Sequence, residues 1–101
     1  MKFVAKIHEV DVAGRIEVIL AISDREILGK KLGDYFFINP RFYGESIVGE
    51  EEIEKMLEKA TIINAVGKNC VEKLVSMGIV AKEETKNIEG TPHAQVVLML
   101  E

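Results

Sequence analysis

Apolar and polar residues alternate from the start of the chain. Phe3, Ala5 and Ile7 fall on one side of an extended backbone; Lys2, Lys6 and His8 fall on the other, with Val4 the exception. Successive side chains of a strand point to opposite faces, so residues 2–8 are predicted as a first strand. Residues 16–22 are β-branched-rich and predict a second. Between them, Asp11-Val12-Ala13-Gly14-Arg15 carries turn chemistry, because Asp and Gly tolerate the backbone angles a turn needs. The expectation is a hairpin with a loop of moderate length.

The pattern then changes period. Ser23-Asp24 offers side-chain oxygens to the free N–H groups of a helix start, so one short turn is expected over 25–28, stopped at Gly29. A short apolar strand is expected at 35–38, broken by Asn39-Pro40, with a loop over 41–49. Ile53, Met56, Leu57 and Ala60 recur at the spacing of an amphipathic helix. Its first turn holds Glu50, Glu51 and Glu52, where the helix dipole favours acids. Residues 61–66 (TIINAV) have no clear period and fit either a buried strand or the lead-in to a helix. Residues 68–77 predict a second helix with Cys70, Val71, Leu74 and Val75 inward and Gly78 as its cap. A polar turn at 82–85, a short strand at 86–89 and a loop at 90–93 follow. The run 95–100 (QVVLML) predicts a last strand buried on both faces. This order describes one α+β domain over residues 1–101: a single-layer mixed sheet with two main helices packed on it.

Composition narrows the function classes. Of 101 residues, 48% are hydrophobic, enough for a core without disulfides or a structural metal. The net charge of −4 argues against a dedicated DNA-binding domain. Cys70 is the one cysteine, so no disulfide framework exists within the chain, and a reducing cytoplasm is the expected setting. With only His8 and His93 besides, a zinc site would need carboxylates; no cofactor is expected. No signal core and no apolar run of the roughly 18 residues of a membrane span is present, so no membrane partner is expected.

Three segments carry candidate binding chemistry. In RFYG, Arg41 could grip a carboxylate or phosphate, Tyr43 could stack on a base or donate a hydrogen bond, and Gly44 would let backbone approach a ligand. The same residues would also serve to plug the core edge. In Asn64-Ala65-Val66-Gly67-Lys68, a strand followed by Gly67 and Lys68 at a helix start would cradle an anion. The alternative there is a tight strand-to-helix turn. In Gly90-Thr91-Pro92-His93-Ala94-Gln95, Pro92 stiffens the backbone beside His93, a residue suited to proton transfer or to phosphate contact, and Gln95 opens the last strand. Hydrogen bonding to loop carbonyls is the plainer role for His93. Asp24 reads as a cap before a catalyst, Cys70 as a buried thiol, and His8 as solvent-exposed. With two histidines and one cysteine, few nucleophile–base pairs can be drawn.

These segments also carry a resemblance. AISDREILGKKL (21–32), FYGE (42–45), INAVGKNCVEKLVSMGIV (63–80) and GTPHAQVV (90–97) together resemble an archaeal family of small proteins, domain-of-unknown-function family four-two-four. Glu45 stands where that family usually has a second glycine, and Thr91 where it tends to have a valine. The resemblance implies an archaeal cytoplasmic protein and brings no established activity. Some relatives in that family are described alongside the beta subunit of translation initiation factor two, which implies a translation link.

Three functions follow as expectations. The first is a non-catalytic binding module for RNA or a translation-related protein, drawing on Arg41, Tyr43, Lys68 and His93. The second is a small enzyme or sensor that holds an anionic small molecule through Gly67, Lys68 and His93. The third is a structural homo-oligomer joined through the apolar C-terminal strand.

Overall fold

A computed structural model describes residues 2–98. Strands β1 (Phe3–Val12) and β2 (Arg15–Asp24) pair antiparallel along all ten residues. Only Ala13 and Gly14 join them, both at positive φ (53° and 84°). Two such residues make the tight hairpin turn whose twist matches its strands, and Asp11 Oδ1 accepts the Gly14 N–H at 2.9 Å. The expected loop of moderate length is therefore a two-residue turn, and both strands outrun their predicted bounds. Alanine at a left-handed position gives no sequence signal for such a turn.

A two-stranded ribbon, β3 (Lys31–Leu32) with β4 (Phe36–Phe37), follows a short 3-10 turn over Arg25–Ile27. The predicted strand at 35–38 shrinks to β4. The predicted loop at 41–49 contains most of α1 (Pro40–Tyr43) and all of β5 (Ile47–Val48). Asn39 Oδ1 accepts the Arg41 N–H at 2.9 Å, and Pro40 sits at the first helical position, where its missing N–H costs nothing. The two longer helices are as expected: α2 (Glu50–Lys59) and α3 (Lys68–Ser76), with Gly78 at φ 75° just past the end of the second.

The ambiguous TIINAV run is a strand, β6 (Ile62–Val66), parallel to β2. It pairs antiparallel with β8 (Thr91–Val97), which pairs with β7 (Lys86–Ile88). The main sheet thus has the order β5-β1-β2-β6-β8-β7. Thr91, Pro92 and His93, expected in a loop, belong to β8. The turn before them is again two residues at positive φ, Glu89 and Gly90 (49° and 87°). Proline is tolerated near a strand start, and the Pro92 carbonyl accepts the Gly67 N–H at 2.9 Å. In β8 Ala94 and Val96 are buried while Gln95 and Val97 are exposed. The strand is therefore buried on one face, not two; residues 99–100 of the predicted run lie outside the described residues.

The sheet has two unlike faces. On one, α2 and α3 seal Phe3, Ala5, Leu20, Ile22, Ile63, Ala65, Ala94 and Val96 into the larger core, with Ile53, Leu57, Cys70, Val71 and Leu74 from the helices. On the other, the segment 25–43 lies over Val4, Ala21 and Val66 and contributes Ile38 and Tyr43, flanked by Ile27, Leu28, Leu32, Phe36 and Phe42. This cover reaches only part of the way along the strands.

Candidate functional site

Strand registers set out the second face in rows. The covered row runs Val4, Ser23, Val66, His93, Lys86; the next runs Lys6, Ala21, Asn64, Gln95; the third runs His8, Ile19, Ile62, Val97. The cover ends over the second row except at β1, where Phe42 reaches His8 of the third. Ile19 and Ile62 pack against neither core, and Val97 is 63% exposed. Beyond them Val10 and Val12 of the hairpin are also exposed. The third row is therefore an apolar strip, partly exposed at Ile19 and Ile62 and open to solvent at Val97.

Aromatic and cationic groups flank this strip. On the β1 side, His8 stacks on Phe42, with ring centroids 5.0 Å apart and planes 14° apart. His8 Nε2 lies 2.7 Å from the Phe42 carbonyl oxygen, which can only accept, so Nε2 carries the proton. Lys6 Nζ donates to the Arg41 carbonyl at 3.2 Å. His8 was expected on the solvent side; instead it is half-buried against the rim of the cover. On the β8 side, Phe36 meets the His93 ring edge-on at 5.3 Å. One row further on, Glu17 beside Val10 accepts from Thr61 Oγ1 at 2.8 Å and is paired with Arg15 at 3.2 Å.

A polar chain runs between the cover and the sheet. Tyr43 Oη donates to Asn64 Oδ1 at 2.7 Å, and His93 Nε2 lies 3.3 Å from the same oxygen. An amide oxygen only accepts, so His93 carries its proton on Nε2 and keeps Nδ1 as its acceptor. Burial, then the Lys86 ammonium, hold the ring below its ordinary 6.5, which leaves it neutral near pH 7. Tyr43 is 2% exposed, and burial pushes its hydroxyl far above the ordinary phenol range. It cannot stack on a base; it plugs the cover and donates one hydrogen bond. Gly44 follows at φ 89°, where an added Cβ would lie 2.8 Å from the Ala5 carbonyl oxygen. It serves close packing of α1 onto β1.

The helix start at Gly67 and Lys68 is built differently from the expected cradle. Asp24 Oδ2 accepts the Asn69 N–H at 3.0 Å and Oδ1 accepts the Cys70 N–H at 2.8 Å. The second and third N–H groups of α3 are thus held by a carboxylate of the chain itself. Asp24 is a cap, as expected, but for a helix 45 residues away; it makes no side-chain bond to the turn at Arg25. Gly67, at φ 119°, is the residue that lets it in, because a Cβ there would lie 2.5 Å from Asp24 Cγ. Lys68 is exposed. The Cys70 thiol is buried, and that burial, with the nearby Asp24, pushes its pKa well up. A thiol held protonated is a poor nucleophile.

Of the residues expected to bind, the fold brings Tyr43, Asn64 and His93 into one hydrogen-bonded chain, with Gln95 directly opposite Asn64 in the pairing. Pro92 meets Gly67 through its carbonyl, and Arg41 offers an exposed side chain at the cover's edge. Lys6, His8 and Lys86 were missed as site residues. The alternation of β1 had already put Lys6 and His8 on one face, but nothing local tells that this face meets Phe42. A cavity of about 380 Å³ beside the polar chain is lined by Lys86, His93, Gln95 and Val97. A second, of about 350 Å³, lies at the Asp24 cap between Lys2, Arg25, Glu26 and Asn69. Among the described residues there is no cluster of three or more His, Cys, Asp or Glu that could hold a metal, and no helix long and apolar enough to cross a membrane.

The fold has a known counterpart. The crystal structure of an uncharacterized conserved protein from Methanopyrus kandleri superimposes with a TM-score of 0.74 at 24% identity, covering 100% of this chain and 96% of that one. At that identity the likeness speaks to the fold. No curated protein matches the sequence. The segments that carried the resemblance lie mostly at the cap, the cover and the polar chain, and the model of the family described as protein of unknown function (DUF424) matches residues 14–99: the chain belongs to that family.

Proposed function

We propose that this chain is a non-catalytic binding module that takes single-stranded RNA on the open part of its second sheet face. One observation carries the reading: an apolar strip, Ile19-Ile62-Val97, crosses the sheet between the Lys6/His8/Phe42 cluster and the Lys86/His93 edge. Bases unstacked from a single strand need apolar or aromatic faces to lie on and cations for their phosphates. The overall charge of −4 is unevenly placed, net acidic on the helical side and net basic on the cover. Helices α2 and α3 hold six glutamates against four lysines, whereas residues 25–43 of the cover hold four basic residues against two acidic ones. A neutral His93, a protonated Cys70 and an engaged Asp24 supply no activated nucleophile, which favours binding over catalysis. A cytoplasmic site of action and a partner in translation belong to this proposal and fit a chain with one buried free thiol.

Fluorescence anisotropy of a labelled single-stranded RNA tests it. With Lys6, Arg41 and Lys86 each meeting a phosphate, log K should fall against log salt with a slope of about −2, at about −0.7 per contact. Lys6→Glu combined with Lys86→Glu should lower affinity at least tenfold at low salt. Equal binding by that double variant and by the wild type would refute the reading.

A further inference from the structure

We propose that the cavity formed by Lys86, His93, Gln95 and Val97 is a subsite for one nucleotide unit, with its phosphate on Lys86 and its base between Gln95 and Val97. The inference rests on the RNA reading above and deepens it. The volume, about 380 Å³, is within the roughly 300–1,000 Å³ typical of small-ligand sites. The four lining side chains supply different chemistry. Lys86 is exposed and provides the cation. Val97, 63% exposed, provides an apolar surface. Gln95 is exposed and ends in an amide, which can donate and accept at once, as the pairing edge of every base requires. His93 spends its Nε2–H on Asn64 Oδ1, which fixes Nδ1 as an acceptor.

The site is also held in place from behind. Asn64 is gripped by both Tyr43 and His93, and Tyr43 is buried in the second core. Phe36 closes on the His93 ring from the cover. The His93 wall of the pocket is thus fixed by its partners and loses little freedom on binding. A carboxylate ligand would use Lys86 but would leave the amide and the apolar wall without a role. The phosphate-plus-heterocycle combination uses all of them, and it is the same chemistry whether it comes from a free nucleotide or from a unit within an RNA strand.

The test is amide-resolved NMR of the full chain, titrated separately with the four nucleoside monophosphates, the four nucleosides and a single-stranded RNA octamer. The expected result is that at least one monophosphate shifts the Gln95 side-chain amide and the backbone signals of His93 and Val97. Its nucleoside should bind at least tenfold more weakly, and Lys86→Ala should bring the monophosphate down to the nucleoside's affinity. Both Lys86 and Gln95 are exposed, so these variants leave the cores intact. Monophosphates that leave these signals unmoved, or that bind Lys86→Ala as well as wild type, overturn the subsite. RNA binding unchanged in Lys86→Ala and in Gln95→Ala also overturns it while the sheet-face reading stands. Monophosphate binding here without RNA binding keeps the subsite, as a site for free nucleotides, and removes the RNA reading. Shifts produced by an added extended peptide and by no nucleotide would give the β8 edge to a protein partner and overturn the subsite.

Discussion

Asp24 has 3% of its surface exposed, and both of its carboxylate oxygens are spent on the first turn of α3. Loss of a helix cap costs about 1–2 kcal/mol, so Asp24→Ala should lower unfolding stability in urea by about that much. Burial raises the Asp24 carboxyl above 3.8 against the lowering effect of the Asn69 and Cys70 N–H groups, with Glu26 and Glu72 adding to the rise. The folded chain therefore holds this proton more tightly than the unfolded one. The stability it brings is fully present below pH 3.8 and is lost as pH climbs through the raised value. Urea midpoints of wild type relative to Asp24→Asn should fall across that window; a difference flat with pH would contradict the assignment. His93 works in the opposite sense. Burial and Lys86 lower its pKa, so its contribution is present above pH 6.5 and falls as pH drops through the folded value. His93→Gln, which keeps a donor for Asn64, should remove that dependence. Gly67 and Gly78 both have positive φ, but only at Gly67 would a Cβ collide with another group. Gly67→Ala should therefore lower the melting temperature clearly more than Gly78→Ala.

The elements show where sequence reasoning reaches and where it stops. Both long helices and the hairpin strands were legible because each has its own hydrophobic period over at least seven residues; of the final strand only the presence was legible, since its continuous apolar run misplaced its start and suggested burial on both faces. The two turns were not, because Ala13 and Glu89 occupy left-handed positions that usually hold Asn, Asp or Gly. Such a position costs an ordinary residue about 1 kcal/mol or more. Ala13→Asn should thus raise stability by about 0.5–1 kcal/mol, measured by chemical denaturation; no gain would mean that the turn differs from the one described. The one-turn helix α1 was hidden in the expected loop since it has only four residues, and Pro92 disguised a strand as a loop. Of the candidate site, Tyr43, Asn64 and His93 were picked out for chemistry and were brought together by pairing between β6 and β8 and by the cover. Their contact could not be read locally, because it depends on strand order. The anion cradle failed for a similar reason: the residue that fills it, Asp24, comes from 45 positions upstream.

Over the whole molecule, the sheet separates two environments. One face is sealed by α2 and α3, which are net acidic; the other is half-sealed by a net basic cover and leaves Ile19 and Ile62 partly exposed and Val97 exposed. This division bears on how a net acidic chain would take the anionic partner proposed above. It also bears on self-association through the C-terminal strand. Among its described residues, β8 is paired through 93–97 with β6 and through 91–93 with β7. The central claim is that the open sheet face, and not the helical layer, is the docking surface. The measurement that tests it most directly is an amide chemical-shift map of the full chain with single-stranded RNA at low salt. The account predicts that Lys6, His8, Ile19, Ile62, Gln95 and Val97 shift while the amides of α2 stay in place. Shifts concentrated on α2 and α3, with those six residues unmoved, would contradict it.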